Sequence, residues 1–134
     1  LIDVEQVPAI IADSRIAGLD AEIVGVRVVP RLVANRSHVR ALAGSTASLI
    51  ERITKQQVPR VPSGTIRVVH GEYGGAYGRP TATGDAAARR CHAALRITLD
   101  ATYSAKALAA ALALTESEGG TTLFWLTFDG RWMK

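Results

Sequence analysis

Three short runs rich in β-branched and aromatic residues, separated by segments with helix signals, limit the folds open to this chain. The runs are residues 22–29 (EIVGVRVV), 65–70 (TIRVVH) and 121–127 (TTLFWLT). They are nearly continuous in apolar side chains, a pattern typical of strands buried on both faces of a parallel sheet. The sequence therefore predicts an α/β fold with three layers, in which a mostly parallel sheet is flanked by helices.

The segments around these runs carry the helix signals. Helices are predicted over residues 10–19, from the Ser37 cap to about residue 53, over residues 85–95 with Thr83 as N-cap, and over residues 105–116 with Ser104 as N-cap. The glycine-dense segment 71–80 (GEYGGAYGRP) fits neither period and is predicted to be a loop. It matches no phosphate-binding motif, so glycine content alone does not make it a phosphate cradle.

Length and composition indicate one folded domain over residues 1–134. The chain is 48% hydrophobic and 21% charged, which excludes a disordered chain. Its apolar runs are far shorter than the roughly 20 residues of a membrane span, so no membrane partner is predicted. The single cysteine, Cys91, cannot form an internal disulfide, which favours a cytoplasmic location. Because Cys91 lies inside a helical pattern, it is predicted to be a buried structural thiol.

Metal and nucleic-acid chemistry are poorly supported. Cys91 and His92 are adjacent and diverge by about 100° on a helix, so no metal site is predicted.

Sixteen Lys and Arg against twelve Asp and Glu give a net charge of +4, but the basic residues are scattered. Nucleic acid is therefore not the predicted partner, although a basic, non-catalytic binding module stays an alternative. A self-associating module is a third hypothesis, because an exposed sheet edge favours a homo-oligomer.

The tyrosines and one threonine lie where a parallel sheet binds ligands. Tyr73 and Tyr77 are in the loop after the second run, Tyr103 precedes a predicted helix, and Thr127 ends the third run. Ligands bind at the carboxyl ends of parallel strands. A phenol can donate and accept hydrogen bonds and can transfer a proton. We therefore predict a ligand role for this set, with turn and capping roles as the alternative.

Three segments resemble a known family. Residues 72–81 (EYGGAYGRPT), 99–107 (LDATYSAKA) and 122–127 (TLFWLT) are similar to the carboxyl-terminal part of two pyridoxal 5'-phosphate (PLP) enzymes, D-cysteine desulfhydrase and 1-aminocyclopropane-1-carboxylate deaminase. That family has a Gly-Tyr-Gly-x-Pro loop, an Asp-Pro-Val-Tyr-x-Gly-Lys-Ala segment and a strand ending His-Thr-Gly-Gly. The resemblance implies part of the large domain of the tryptophan-synthase-β-like fold (fold type II).

The resemblance also implies roles for individual residues. Tyr77 and Tyr103 would be catalytic, acting in acid, base or nucleophilic steps beside the reacting carbons of a small amino-acid substrate. Ser104 and Thr127 would bind the cofactor near its pyridine nitrogen, and a hydroxyl at 104 is more similar to desulfhydrases than to deaminases. Lys106 matches a family lysine other than the one that forms the Schiff base. The implied reaction is a lyase or deaminase step that eliminates ammonia or sulfide.

The sequence departs from the family at several positions. Ala101 and Thr102 replace Pro-Val, Leu126 replaces the strand-end His, and residues 128–129 (FD) replace Gly-Gly. The family's Schiff-base lysine and phosphate loop belong to an amino-terminal region that this sequence does not contain, and the chain begins with Leu1 rather than Met. We therefore expect a fragment or truncated homologue that binds PLP weakly or not at all and is inactive alone.

Overall fold

The computed structural model describes residues 10–11, 16–18, 21–59, 62, 64 and 66–126. In that part of the chain the protein is a small α/β protein, as predicted. Strands β1 (Ile23–Val26) and β2 (Ile66–Val69) pair as a two-stranded parallel sheet. The helices are α1 (Arg36–Thr54), α2 (Ala82–Leu95) and α3 (Ser104–Glu118), and a 3-10 turn (Gly71–Tyr73) follows β2. Ile10, Ile11 and Ile16 are also helical, and the rest of the helix predicted over 10–19 lies outside the described residues or is a turn.

The third predicted strand is wrong for residues 121–126, which are irregular. Burial does alternate along this segment, because Phe124 and Leu126 are partly buried whereas Leu123 and Trp125 are exposed. Phe124 and Leu126 pack against buried side chains of α2, α3 and the preceding loop. The apolar residues of this segment are thus partly buried by side-chain packing, without strand pairing in the described residues. Thr127 lies outside them.

Two of the helix caps differ from the prediction by two residues. Asn35, not Ser37, caps α1, where its Oδ1 accepts a hydrogen bond from the N–H of His38 at 3.0 Å. Thr81, not Thr83, caps α2, where its Oγ1 accepts from the N–H of Gly84 at 3.1 Å. Both caps have the extended backbone that an N-cap requires. Sequence propensity does not distinguish among neighbouring polar residues, whereas backbone conformation does.

The described chain divides into two compact units. The first unit contains residues 10–25 and 31–68, apart from the undescribed positions among them. Its hydrophobic core is a cluster of four buried side chains, which are those of Ile11, of Val39 and Ala43 in α1, and of Ile66 in β2. The partly buried side chains of Ile23 and Val68 pack against this cluster. The prediction of a single domain over residues 1–134 stays a prediction.

The second unit contains Val26–Pro30 and residues 69–126, and it includes every residue of the candidate site. Its core has two clusters. The first joins β1 to α3 and consists of Val26, Ala107 and Ala110. The second joins α2, α3 and the loop between them and consists of Cys91, Leu99 and Ala105. Cys91 is a buried free thiol inside α2, as predicted. Among the described residues, every helix is too short or too polar to cross a lipid bilayer.

Candidate functional site

The structure brings Tyr77 and Tyr103 together. Their hydroxyl groups form a hydrogen bond. Their ring centroids are 6.0 Å apart and the ring planes are inclined at 68°, an edge-to-face arrangement. Tyr77 is 60% exposed, whereas Tyr103 is half-buried at the start of α3. Two phenols that lie 26 positions apart in sequence therefore form one polar contact, while their catalytic role stays a prediction.

The loop that carries Tyr77 is closed at its base by a carboxylate. Glu72 Oε2 accepts hydrogen bonds from Thr81 Oγ1 at 3.0 Å and from Thr83 Oγ1 at 2.7 Å. These bonds tie the 3-10 turn to the start of α2 and enclose residues 73–80 between them. The carboxylate of Glu72 is therefore close to the positive end of the α2 dipole, beside the glycine-rich segment that matches no phosphate-binding motif.

Gly74 makes the closed loop sterically possible. Its φ is +70°, and a Cβ added there would lie 3.1 Å from both the Arg79 carbonyl oxygen and Thr81 Cγ2. A residue with a side chain would therefore be strained and crowded at this position. The glycine content predicted a loop, and the structure shows that close backbone approach is one reason for it.

Asp100 positions Tyr103. Its Oδ1 accepts from the backbone N–H groups of Thr102 (3.1 Å) and Tyr103 (2.7 Å). Its Oδ2 accepts from the Ser104 N–H (3.0 Å) and hydroxyl (2.5 Å). The carboxylate is buried, and burial by itself raises the pKa of Asp100. The hydrogen bonds, led by those from Ser104, outweigh burial, so the pKa of Asp100 is below its usual value and the group is ionised near neutrality.

Sequence reasoning missed Asp100. Its signal was an aspartate just before a run of helix-forming residues, which is typical of a residue that satisfies the first N–H groups of a helix. Ser104 was predicted to be the cap of α3. It is instead the first residue of that helix, and its hydroxyl donates a hydrogen bond to Asp100.

Ser104 does not fit the cofactor role that the resemblance implies. The residue is 0% exposed, and its hydroxyl donates to Asp100. A pyridine ring of a bound PLP has no access to a side chain that is fully buried and held in this way. Thr127, the other implied contact, lies outside the described residues. The cofactor role of Thr127 stays a prediction.

A second polar group lies directly after the two strands. Arg27 follows β1 and donates from Nε to Nδ1 of His70, which follows β2, at 2.8 Å. The Arg27 guanidinium also lies 4.5 Å from the centroid of the Tyr73 ring, in cation–π contact. Because an arginine nitrogen only donates, Nδ1 of His70 is an acceptor here. Neither Arg27 nor His70 was among the predicted ligand residues, although ligand binding was expected at this edge of the sheet.

Lys106 is the largest fully buried side chain of the described residues, at 0% exposure. Its Nζ donates to the Tyr73 carbonyl oxygen at 3.4 Å. Burial lowers the pKa of Lys106, and the nearby Glu72 carboxylate offsets part of that shift. The sequence marked Lys106 only as a family lysine, and periodicity gave no sign of its burial.

The described part of the chain contains no group of three or more His, Cys, Asp or Glu side chains arranged to hold a metal ion.

No protein-family model matches the chain, and no curated protein matches it either. The chemistry that the geometry supports is therefore that of two hydrogen-bonded phenols, one exposed and the other at the helix start that Asp100 caps.

Proposed function

We propose that this chain is the carboxyl-terminal part of a PLP-dependent lyase or deaminase acting on a small amino acid, and that it is inactive alone. The observation that supports this most is the contact between Tyr77 and Tyr103. The two tyrosines come from two of the three segments that carry the resemblance. The contact supports a shared active site, because it brings together two of these segments that lie 26 positions apart in sequence.

The proposed role of the phenol pair is proton transfer. One hydroxyl donates to the other, so a proton lost by the exposed Tyr77 can be replaced from Tyr103. Asp100 keeps the Tyr103 backbone fixed while this happens. In the whole enzyme, PLP would be held by a lysine and a phosphate loop outside this sequence, together with Thr127, in a fold of type II. A homo-oligomer and a cytoplasmic location belong to the same proposal.

The coding sequence upstream of Leu1 gives the first test. We expect it to encode a region with a phosphate-binding Gly/Ser/Thr loop and a lysine positioned to form a Schiff base with PLP. An upstream region without these features contradicts the proposal.

The second test is kinetic and uses the protein that includes this upstream region. Release of ammonia or sulfide is measured with D-cysteine and with 1-aminocyclopropane-1-carboxylate. Tyr77→Phe and Tyr103→Phe each remove one hydroxyl of the pair and are expected to lower kcat by about 10²-fold or more. Ser117→Ala is the control, because it removes an exposed hydroxyl near the end of α3 that donates only within its own helix, to the Leu114 carbonyl oxygen, and kcat should stay near the wild-type value. Equal kcat values in all four proteins would contradict the role given to the pair.

A further inference from the structure

Lys106 is a buried cation whose burial has to be compensated. It is the third residue of α3, and its side chain is completely removed from solvent. Burying an ammonium group without partners is strongly unfavourable, so such groups are found paired or hydrogen-bonded. The partners of Lys106 therefore indicate what its burial achieves.

Both partners belong to the base of the loop that carries Tyr77. The ammonium group donates to the carbonyl oxygen of Tyr73, 33 residues away in sequence. It also interacts electrostatically with the carboxylate of Glu72, the group that accepts from Thr81 and Thr83. Lys106 thus connects α3 to the same loop base that the Glu72 hydrogen bonds close.

The Lys106 side chain passes close to a glycine in α2. A Cβ added at Gly84 would lie 3.5 Å from Lys106 Cγ and 2.9 Å from Thr81 Oγ1. The missing side chain lets α2 lie close to the Lys106 stem. The stem is therefore enclosed between α2 and α3, which leaves the ammonium group little freedom to leave the loop base.

Tyr103 immediately precedes α3, and Lys106 is the third residue of that helix. Each of them contacts the segment between β2 and α2, Tyr103 at Tyr77 and Lys106 at Tyr73. The same two elements are thus joined twice, once by the phenol pair and once by the buried amine.

We propose that Lys106 is the positioning residue of the phenol pair: by donating to the Tyr73 carbonyl oxygen, it holds the loop against α3 so that the Tyr77 hydroxyl meets that of Tyr103. The catalytic importance of this positioning rests on the proposed function, whereas the positioning itself does not. Lys106 acts on the two hydroxyls through the Tyr73 carbonyl and the loop, so its role is indirect.

The test is nuclear magnetic resonance of the present chain with labelled tyrosine and lysine. The wild-type protein is expected to show nuclear Overhauser contacts between the Tyr77 and Tyr103 rings. Lys106→Met keeps the length of the side chain but removes the charge and its hydrogen bonds. The contacts between the two tyrosine rings should then be lost, while the rest of the amide spectrum stays that of a folded protein. Lys106→Arg restores the charge and should restore the contacts at least in part. Lys55→Met, at an exposed position after α1, is the matched control and should change neither.

A folded Lys106→Met variant that keeps the ring contacts overturns the proposal. If that variant does not fold, the wild-type lysine signals decide. A Lys106 ammonium with slowly exchanging protons and contacts to Tyr73 supports the proposal, and one that exchanges as fast as that of Lys55 overturns it. Neither readout involves PLP or a substrate, so a failure here is distinguishable from a failure of the proposed function.

Discussion

Asp100 accepts four hydrogen bonds around the first turn of α3, one of which is from the backbone of Tyr103. Both carboxylate oxygens accept hydrogen bonds, and the donors belong to the residues two to four positions later in the chain. Because a negative charge at a helix N-terminus also interacts favourably with the helix dipole, the ionised form is stabilised twice. This one residue therefore both starts α3 and orients the site.

Replacing Asp100 with Asn is expected to lower the free energy of unfolding by about 2 kcal/mol at pH 7. The amide nitrogen of Asn would face backbone N–H groups and leave at least one of them without an acceptor. Urea denaturation of both proteins measures the difference. Asp85→Asn is the control, because Asp85 is exposed in the first turn of α2 and should cost well under about 1 kcal/mol.

The effect of Asp100 also has a predicted pH dependence. The pKa of Asp100 is lower in the folded protein than in the unfolded chain, so the unfolded state binds more protons at acid pH. The stabilisation from its charge is complete above about pH 4, the usual range of the Asp pKa, and is lost as the pH falls through the lower pKa of the folded state. The difference between wild type and Asp100→Asn should therefore be constant from pH 7 to pH 5 and decrease below about pH 4. A difference that grows with acidity would contradict the assignment.

At the scale of elements, α2 and α3 pack closely at Gly84. Gly84→Ala would place a Cβ 2.9 Å from Thr81 Oγ1, against the side chain that caps α2. We expect a loss of about 1–3 kcal/mol in the free energy of unfolding, as for overpacking in other interiors. Gly44, inside α1, has nothing within 4 Å of an added Cβ. Gly44→Ala should instead stabilise by about 0.5–1 kcal/mol, because alanine loses less backbone entropy in a helix.

Thermal and urea unfolding of these two alanine variants test the packing directly. The substitution is chemically identical at both positions, so helix propensity alone predicts the same sign. Opposite signs are expected from the structure. Stabilisation by both variants would show that a Cβ at Gly84 is accommodated beside Thr81 without strain.

At the scale of the whole molecule, the described chain has two compact units with separate hydrophobic clusters. Val39 is buried in the cluster of the first unit, and Asp100 belongs to the second unit. Val39→Ala should cost about 2 kcal/mol from lost burial and the cavity that is left. Because Val39 and Asp100 belong to different compact units, the double variant Val39→Ala/Asp100→Asn should lose the sum of the two costs.

Chemical denaturation of the two single variants and the double variant measures this additivity. Agreement with the sum within about 0.5 kcal/mol is the expected result for independent sites. A larger coupling energy would mean that the two units share more of their stability than their clusters indicate.

The sequence by itself determined which segments form strands β1 and β2, the three helices and the irregular glycine loop. These features depend on local periodicity and on backbone preferences, which are encoded within ten to twenty residues. The two tyrosines were also identifiable in sequence, because their glycine-rich and helix-start settings are local. The third strand was not predictable in this way, because a strand exists only when another strand pairs with it. The apolar pattern of residues 121–126 is equally compatible with side-chain packing against helices.

Only the tertiary structure decided which polar groups meet. The contact of Tyr77 with Tyr103 spans 26 positions, and that of Lys106 with Tyr73 spans 33. No local pattern distinguishes a lysine that reaches such a partner from one that extends into water. Likewise, Ser104 has a residue type suited to binding a ligand, but folding buries it under Asp100. Burial and pairing depend on contacts between segments distant in sequence, and these contacts exist only once the chain has folded.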